Sequence, residues 1–225
     1  MPTESVENYL KAIYELEEKG EKVTTSKLAE RLCIAAPSVT AMLKRLHSQK
    51  RAFVEHTPHR GVSLNDEGRK RALAVIRRHR LLETFLFQVL GFTWDEVHEE
   101  AERLEHYISD QLEQRIAEYL GHPAKDPHGD PIPSKDGKIV ENAHVPLSEV
   151  ALGSVVRVSR VSDEQSEVLR YLSSLGIEPG VTMTLADKAP FDGPFMVHLG
   201  DAENAAAASY GIGPGVAAMV MVEVL

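Results

Sequence analysis

Between Trp94 and Leu120 the sequence sets His98, Glu102, Glu105 and His106 at i, i+4, i+7 and i+8, in a stretch with neither Pro nor Gly. That absence of breakers predicts one helix of about seven turns. At roughly 100° per residue, the four side chains then fall within an arc of about 100°, so two imidazoles and two carboxylates share one face. The preceding segment, from about Asn65 to Leu90, reads as another helix and adds His79 and Glu83 at i, i+4. Imidazole and carboxylate donors without a thiolate suit Mn²⁺, Fe²⁺ or Zn²⁺ rather than Cu⁺. The competing reading is a solvated acidic face, because Asp95, Glu96, Glu99 and Glu100 crowd the same segment. The paired histidines weigh against it, since neither an acid-rich surface nor an apolar core calls for His at those steps.

The elements that position these groups belong to a chain of 225 residues, 43% hydrophobic and 26% charged, with a mean hydropathy of −0.22. That length accommodates one to three domains. No run approaches the roughly 18–20 apolar residues of a membrane span. The opening MPTESVENYL has neither the basic nor the apolar region of a secretory signal, which predicts a cytoplasmic protein. The one cysteine, Cys33, excludes an internal disulfide, a Cys-rich zinc site and an iron–sulfur cluster. The net charge of −9 is unevenly spread: Lys22 to Arg80 holds 14 Lys and Arg against 4 Asp and Glu, a local +10, which leaves −19 elsewhere. One part is thus built to meet an anion.

That basic part has a recognisable order of elements. Val6, Leu10, Ile13, Tyr14 and Leu16 give a first helix from about Ser5 to Lys19, stopped by Gly20. A short helix capped by Thr24 follows, and a second begins near Pro37, whose missing N–H costs nothing in a first turn. In the latter, Val39, Met42, Leu43 and Leu46 form the apolar stripe, which leaves Ser38, Thr40, Ala41, Lys44 and Arg45 outward. Residues 52–56 and 61–64 alternate about Thr57-Pro58-His59-Arg60 and predict a hairpin. Helix, short helix, helix, hairpin is the order of a winged helix-turn-helix, which lays its second helix in the major groove. The order also occurs in modules that never touch DNA, and the local +10 favours DNA.

Residues 121–146 carry five of the chain's 12 prolines and read as a linker. Beyond it, residues 153–158, 181–185, 195–197 and 217–222 are short β-type runs, with a short helix ending in Gly between the first two. Ala205 to Ala208 has no assigned role.

Taken together, the winged helix, Arg78-His79-Arg80-Leu81-Leu82-Glu83, Val97-His98-Glu99-Glu100-Ala101-Glu102-Arg103-Leu104-Glu105-His106 and Gly129-Asp130-Pro131-Ile132-Pro133 resemble the diphtheria-toxin-repressor family over nearly the whole chain. That family comprises dimeric, Fe²⁺- or Mn²⁺-activated bacterial transcriptional regulators. The resemblance implies a mainly α protein with a small β domain. A winged helix-turn-helix would occupy 1–73 and a helical dimerisation and metal-binding domain 74–121. A linker at 122–146 would lead to an SH3-like β-barrel at 147–225. It also implies a primary metal site of Asn8, Glu102, Glu105 and His106 and an ancillary one of His79, Glu83 and His98, joined by Asp126, His128 and Asp163. Glu102 stands where iron-sensing members carry Cys and manganese-sensing ones Glu, so Mn²⁺ is favoured, with Fe²⁺ as the alternative effector.

The function so implied is metal-dependent repression of metal-uptake genes through binding to double-stranded, palindromic operator DNA as a homodimer. No enzymatic activity, membrane or small-molecule substrate is implied. Pro37, Ser38, Thr40, Lys44 and Arg45 would face the groove, and Lys50 and Arg60 would hold phosphates. Leu81, Phe85, Leu86, Val89, Leu104 and Leu112 would supply apolar area to the dimer. The alternatives are a metal-independent winged-helix regulator and a helical-bundle metalloenzyme; the latter lacks the Glu-x2-His steps of such bundles and leaves the basic unit unexplained.

Overall fold

Thr24 and Pro37 begin the two helices expected of a helix-turn-helix. The computed structural model describes residues 3–48, 52–57, 61–140, 143–163, 165–200 and 208–225. The chain divides into two compact units. One comprises Met1–His79, Glu102–Gln114 and Pro133–Ile139; the other comprises Arg80–Ala101, Arg115–Ile132 and Val140–Leu225.

The first unit opens with α1 (Glu4–Glu18), α2 (Thr25–Arg31) and α3 (Ala36–Ser48). The Thr24 hydroxyl accepts from the Lys27 amide at 3.2 Å, satisfying one of the donors that a helix start leaves open. On α3, Val39, Leu43 and Leu46 are buried while Pro37, Ser38, Thr40, Lys44 and Arg45 are exposed, as the spacing predicts. Strands β1 (Val54–Thr57) and β2 (Gly61–Leu64) pair antiparallel, with Val54 opposite Leu64. These elements close over one core, in which Leu10, Ile13, Leu28, Val39, Leu43, Leu46, Val62 and Ile76 are buried. Each such side chain contributes about 1.5–3 kcal/mol by leaving water. Gly68 is required here: a Cβ would lie 2.0 Å from the Phe53 carbonyl oxygen.

Three helices follow the hairpin: α4 (Asp66–Leu90), α5 (Val97–Leu104) and α6 (Asp110–Tyr119). Asn65 caps α4 by accepting from the Gly68 amide at 2.9 Å. The single helix expected over Trp94–Leu120 is in fact two. The first ends at Leu104, and Ser109 starts the second: its hydroxyl accepts from the Leu112 amide at 3.2 Å and its carbonyl from the Glu113 amide, a cap that begins α6. Of the residues expected to face a dimer partner, Leu81 and Leu86 are 1% and 3% exposed, whereas Val89 and Leu112 are exposed, as are Phe87, Leu90 and Tyr119 beside them.

The second unit ends in six strands: β3 (Val145–Pro146), β4 (Val155–Val161), β5 (Thr182–Lys188), β6 (Phe195–Leu199), β7 (Ser209–Ile212) and β8 (Val220–Val224). Helices α7 (Ser166–Ser174) and α8 (Pro214–Ala217) connect them. The strands form one antiparallel sheet in the order β3-β8-β4-β5-β6-β7. Among the described residues β3 and β7 do not pair, so the sheet is open where a closed barrel was expected. Strand β7 was not foreseen. The sheet's core includes Val156, Leu169, Leu172, Met183, Leu185 and Val220, and Trp94 belongs to the same cluster. Among the described residues, no helix is long and apolar enough to cross a membrane.

Candidate metal centre

In the first unit, α1 delivers Glu7, Asn8 and Lys11, α4 delivers His79, and the end of α5 with its following turn delivers Glu102, Glu105 and His106. His79, Glu102 and Glu105 have ligand atoms within 4.8 Å of one another. Lys11 Nζ stands beside all three, donating to Glu102 Oε1 at 2.6 Å and Glu105 Oε2 at 2.9 Å, and 3.2 Å from His79 Nδ1. His79 Nδ1 is also 2.6 Å from Glu105 Oε2. That nitrogen can donate to Glu105 or accept from Lys11, but not both. Burial opposes the Lys11 charge, yet the Glu105, Glu102 and Glu15 carboxylates outweigh it and raise the pKa above its ordinary value.

The other side of Glu105 is different. Its Oε1 is buried without a hydrogen-bond partner, as are Asn8 Oδ1 and His106 Nε2. His106 Nε2 lies 3.3 Å from Glu105 Oε1, while its Nδ1 lies 2.8 Å from Glu7 Oε2. Burial disfavours the His106 imidazolium, but the hydrogen bond to Glu7 and the charge of Glu105 raise its pKa overall. Leaving a buried polar atom unpaired costs about 1–3 kcal/mol. Three such atoms, two oxygens and one imidazole nitrogen, fit a divalent cation of borderline-hard character.

The second unit holds another group. Glu83 on α4, Asp126 and His128 in the loop after α6 have ligand atoms within 4.8 Å of one another and are all buried. His98 Nδ1 is 3.2 Å from Glu83 Oε1 and 3.0 Å from Asp163 Oδ2. Burial works against the His98 imidazolium, but hydrogen bonds to those two carboxylates raise its pKa to about 10. His128 Nε2 donates to the Trp94 carbonyl at 2.6 Å, and the two rings stack with centroids 5.9 Å apart. His128 Nδ1 has no hydrogen-bond partner and lies 3.9 Å from Glu83 Oε1. Asp126 Oδ1 accepts from the amides of His128 and Asp130, each at 2.9 Å. Burial pushes the Asp126 carboxyl well up from its ordinary value, as Asp130 and Glu83 also do.

The four residues expected on one helical face are thus divided. His98 lies with Glu83 and Asp163 in the second unit, whereas Glu102, Glu105 and His106 lie with Asn8 and His79 in the first. The arc arithmetic assumed a continuous helix, and α5 ends at Leu104, so Glu105 and His106 leave it. Spacing gave no sign that Trp94, the chain's one tryptophan, holds His128. On the DNA-facing side, the Thr40 hydroxyl donates to the Ala36 carbonyl at 3.1 Å and keeps only its lone pairs for a ligand. Lys50 and Arg60 lie outside the described residues.

Three family models match the chain. The iron dependent repressor N-terminal DNA binding domain covers residues 1–62, the iron dependent repressor metal binding and dimerisation domain 65–134, and the FeoA domain 145–224. The diphtheria toxin repressor of Corynebacterium glutamicum is 32% identical over 196 residues, 82% of this chain and 85% of that protein. The iron-dependent repressor IdeR of Mycobacterium leprae is 33% identical, over 81% of this chain and 84% of its own length. A solved manganese-dependent transcriptional repressor in complex with manganese superposes with a TM-score of 0.89 at 39% identity, over 98% of this chain and 100% of that one.

Proposed function

The chain belongs to the iron-dependent repressor family, and from that premise we propose that it is switched by Mn²⁺, with Fe²⁺ as the alternative effector, through the buried donors of the first unit. It is a metal-dependent transcriptional repressor that binds operator DNA and dimerises; it is not an enzyme. The observation that carries the metal reading is the set of three buried atoms without a hydrogen-bond partner: Asn8 Oδ1, Glu105 Oε1 and His106 Nε2. Glu102 belongs to the same primary site. His79, Glu83, His98, Asp126, His128 and Asp163 supply the ancillary ligands. The domains are a winged helix at 1–73, a helical metal-binding and dimerisation domain at 74–121, a linker at 122–146 and an SH3-like β domain at 147–225. The setting is the cytoplasm.

A divalent ion at the primary site supplies positive charge that offsets the mutual repulsion of its carboxylates. The chain's own part in the switch follows from α1. Leu10 and Ile13 of α1 are fully buried in the winged-helix core, and Asn8 lies on the same helix. Asn8 therefore ties the position of the DNA-reading core to Glu105 and His106. Fixing that position favours the spacing of about 34–36 Å at which two recognition helices meet successive major grooves. Pro37, Ser38, Thr40, Lys44 and Arg45 then face the groove, and Lys50 and Arg60 hold phosphates. The targets are metal-uptake genes.

Fluorescence anisotropy on the protein's own upstream promoter DNA, at fixed salt, tests this with metal-free, Mn²⁺, anaerobic Fe²⁺ and Zn²⁺ protein. Tight binding with Mn²⁺ or Fe²⁺ that is lost in Glu105→Ala is the expected result. Equal binding after chelation overturns the switch and leaves a metal-independent winged-helix regulator.

A further inference from the structure

Glu105 has a different neighbour at each oxygen. Oε2 accepts from the Lys11 ammonium at 2.9 Å, and Oε1 has no hydrogen-bond partner. The ammonium also donates to Glu102 at 2.6 Å and lies 3.2 Å from His79 Nδ1. It therefore stands among the three groups whose ligand atoms are close enough to hold an ion. Lys11 is buried, and it sits on a helix whose neighbouring Leu10, Ala12 and Ile13 are locked into the winged-helix core. Its backbone is therefore fixed, and its ammonium is held by the two carboxylates. An ammonium has three donors and no lone pair, so it satisfies carboxylates as a cation does but ligates nothing.

We infer that Lys11 is a tethered cation holding the place between His79, Glu102 and Glu105, so that the first unit's centre takes one divalent ion, at the primary site of Asn8, Glu102, Glu105 and His106, and not two. The inference rests on the metal reading above. It follows from occupancy of lone pairs: those of Glu102 Oε1 and Glu105 Oε2 already face a fixed positive charge. An ion entering the trio must expel a group that is anchored in the core. Metal-free protein keeps the trio assembled for the same reason, since the two carboxylates have a partner before any ion arrives.

The test compares full-length wild type with Lys11→Met, which removes the charge at nearly constant volume, and Lys11→Arg, which keeps it. Each is dialysed against buffered free Mn²⁺ and its manganese per protomer counted by plasma mass spectrometry. Anomalous diffraction at the manganese edge then locates the ions. Lys11→Met is expected to hold one more ion per protomer than wild type, with a new anomalous peak between His79, Glu102 and Glu105, while Lys11→Arg matches wild type. An unchanged count in Lys11→Met, with the wild-type peak retained beside His106, overturns the role of Lys11 and leaves the metal reading standing. Two peaks flanking Glu105 in wild type overturn it as well, whether or not the variants fold. Manganese retained by none of the three proteins overturns the metal reading itself.

Discussion

The two candidate ligand clusters face the same problem, buried carboxylates beside imidazoles, and meet it in different ways. In the first unit a cation stands inside the cluster, with Lys11 touching Glu102, Glu105 and His79. In the second no lysine enters: His98 carries the positive charge between Glu83 and Asp163, and guanidinium groups flank the loop carboxylates. Arg80 Nε is 3.6 Å from Asp126 Oδ2 and its Nη2 is 3.0 Å from Asp130, which Arg160 also meets at 3.0 Å. The settings differ too. The first cluster draws on α1, whose other face is winged-helix core, whereas Asp126 and His128 sit in a loop held by backbone donors. A group whose movement reorients α1 suits a switch, and one pinned by a rigid loop suits an anchor.

The largest expected effect separates the clusters by stability without metal. Lys11→Met leaves Glu105, which is fully buried, facing Glu102 without the ammonium that joins the two carboxylates. Removing one partner of a buried pair costs about 3–5 kcal/mol. Urea unfolding of metal-free protein should register that loss, and saturating Mn²⁺ should recover much of it. A loss below about 1 kcal/mol would mean that the ammonium is not what holds the carboxylates together.

DNA affinity gives the next contrast. Glu105→Gln removes a ligand on the switch side, and coupling free energies between sites of about 1–3 kcal/mol set the scale at roughly 5–150-fold. It should lie near the upper end of that range, with Mn²⁺-dependent operator affinity collapsing toward the metal-free value. Glu83→Gln, on the anchor side, should lie near the lower end. Equal losses from the two would erase the division of labour drawn from α1.

Much of the switch side was legible in sequence because it depends on local periodicity. The Thr24 cap and the Gly20 stop each encode one local preference and stand as expected, and of the α3 stripe Val39, Leu43 and Leu46 are buried while Met42 is half-buried. The break before α6 was missed because Ser109 acts through a side-chain bond to the backbone, which an apolar pattern does not record. Strand β7 was missed because Ser209 and Gly211 dilute its alternation within four residues. The anchor side was least legible. The Trp94–His128 stack and the Arg80–Asp130 pair join residues 34 and 50 apart in sequence, a separation that no helical or strand period can reach.

Loop rigidity offers a smaller effect confined to the anchor. Gly129 has φ +92°, and a Cβ there would lie 2.1 Å from the Ser159 carbonyl oxygen. Gly129→Ala therefore forces the Asp126–Asp130 loop away from β4, at a cost on the order of 1–3 kcal/mol for the backbone conformation. Calorimetric titration should then show weaker binding at the second cluster with the first unchanged. Weakening of both would show that the clusters share this loop.

The smallest expected signal reads the anchor alone. His128 Nε2 carries the hydrogen, since a carbonyl oxygen can only accept, and this leaves Nδ1 with its lone pair beside Glu83 when the ring is neutral. A cation accepted by that lone pair changes the charge of a ring stacked on the chain's one indole. Zn²⁺, which does not quench through paramagnetism, should therefore shift Trp94 emission. The shift should disappear in Glu83→Gln, which weakens the second cluster but leaves the stack in place. It should persist in Glu105→Gln, whose lost ligand lies in the other unit. Emission that instead follows Glu105 would place the indole's sensitivity with the switch, and the two clusters would then have to be treated as a single centre.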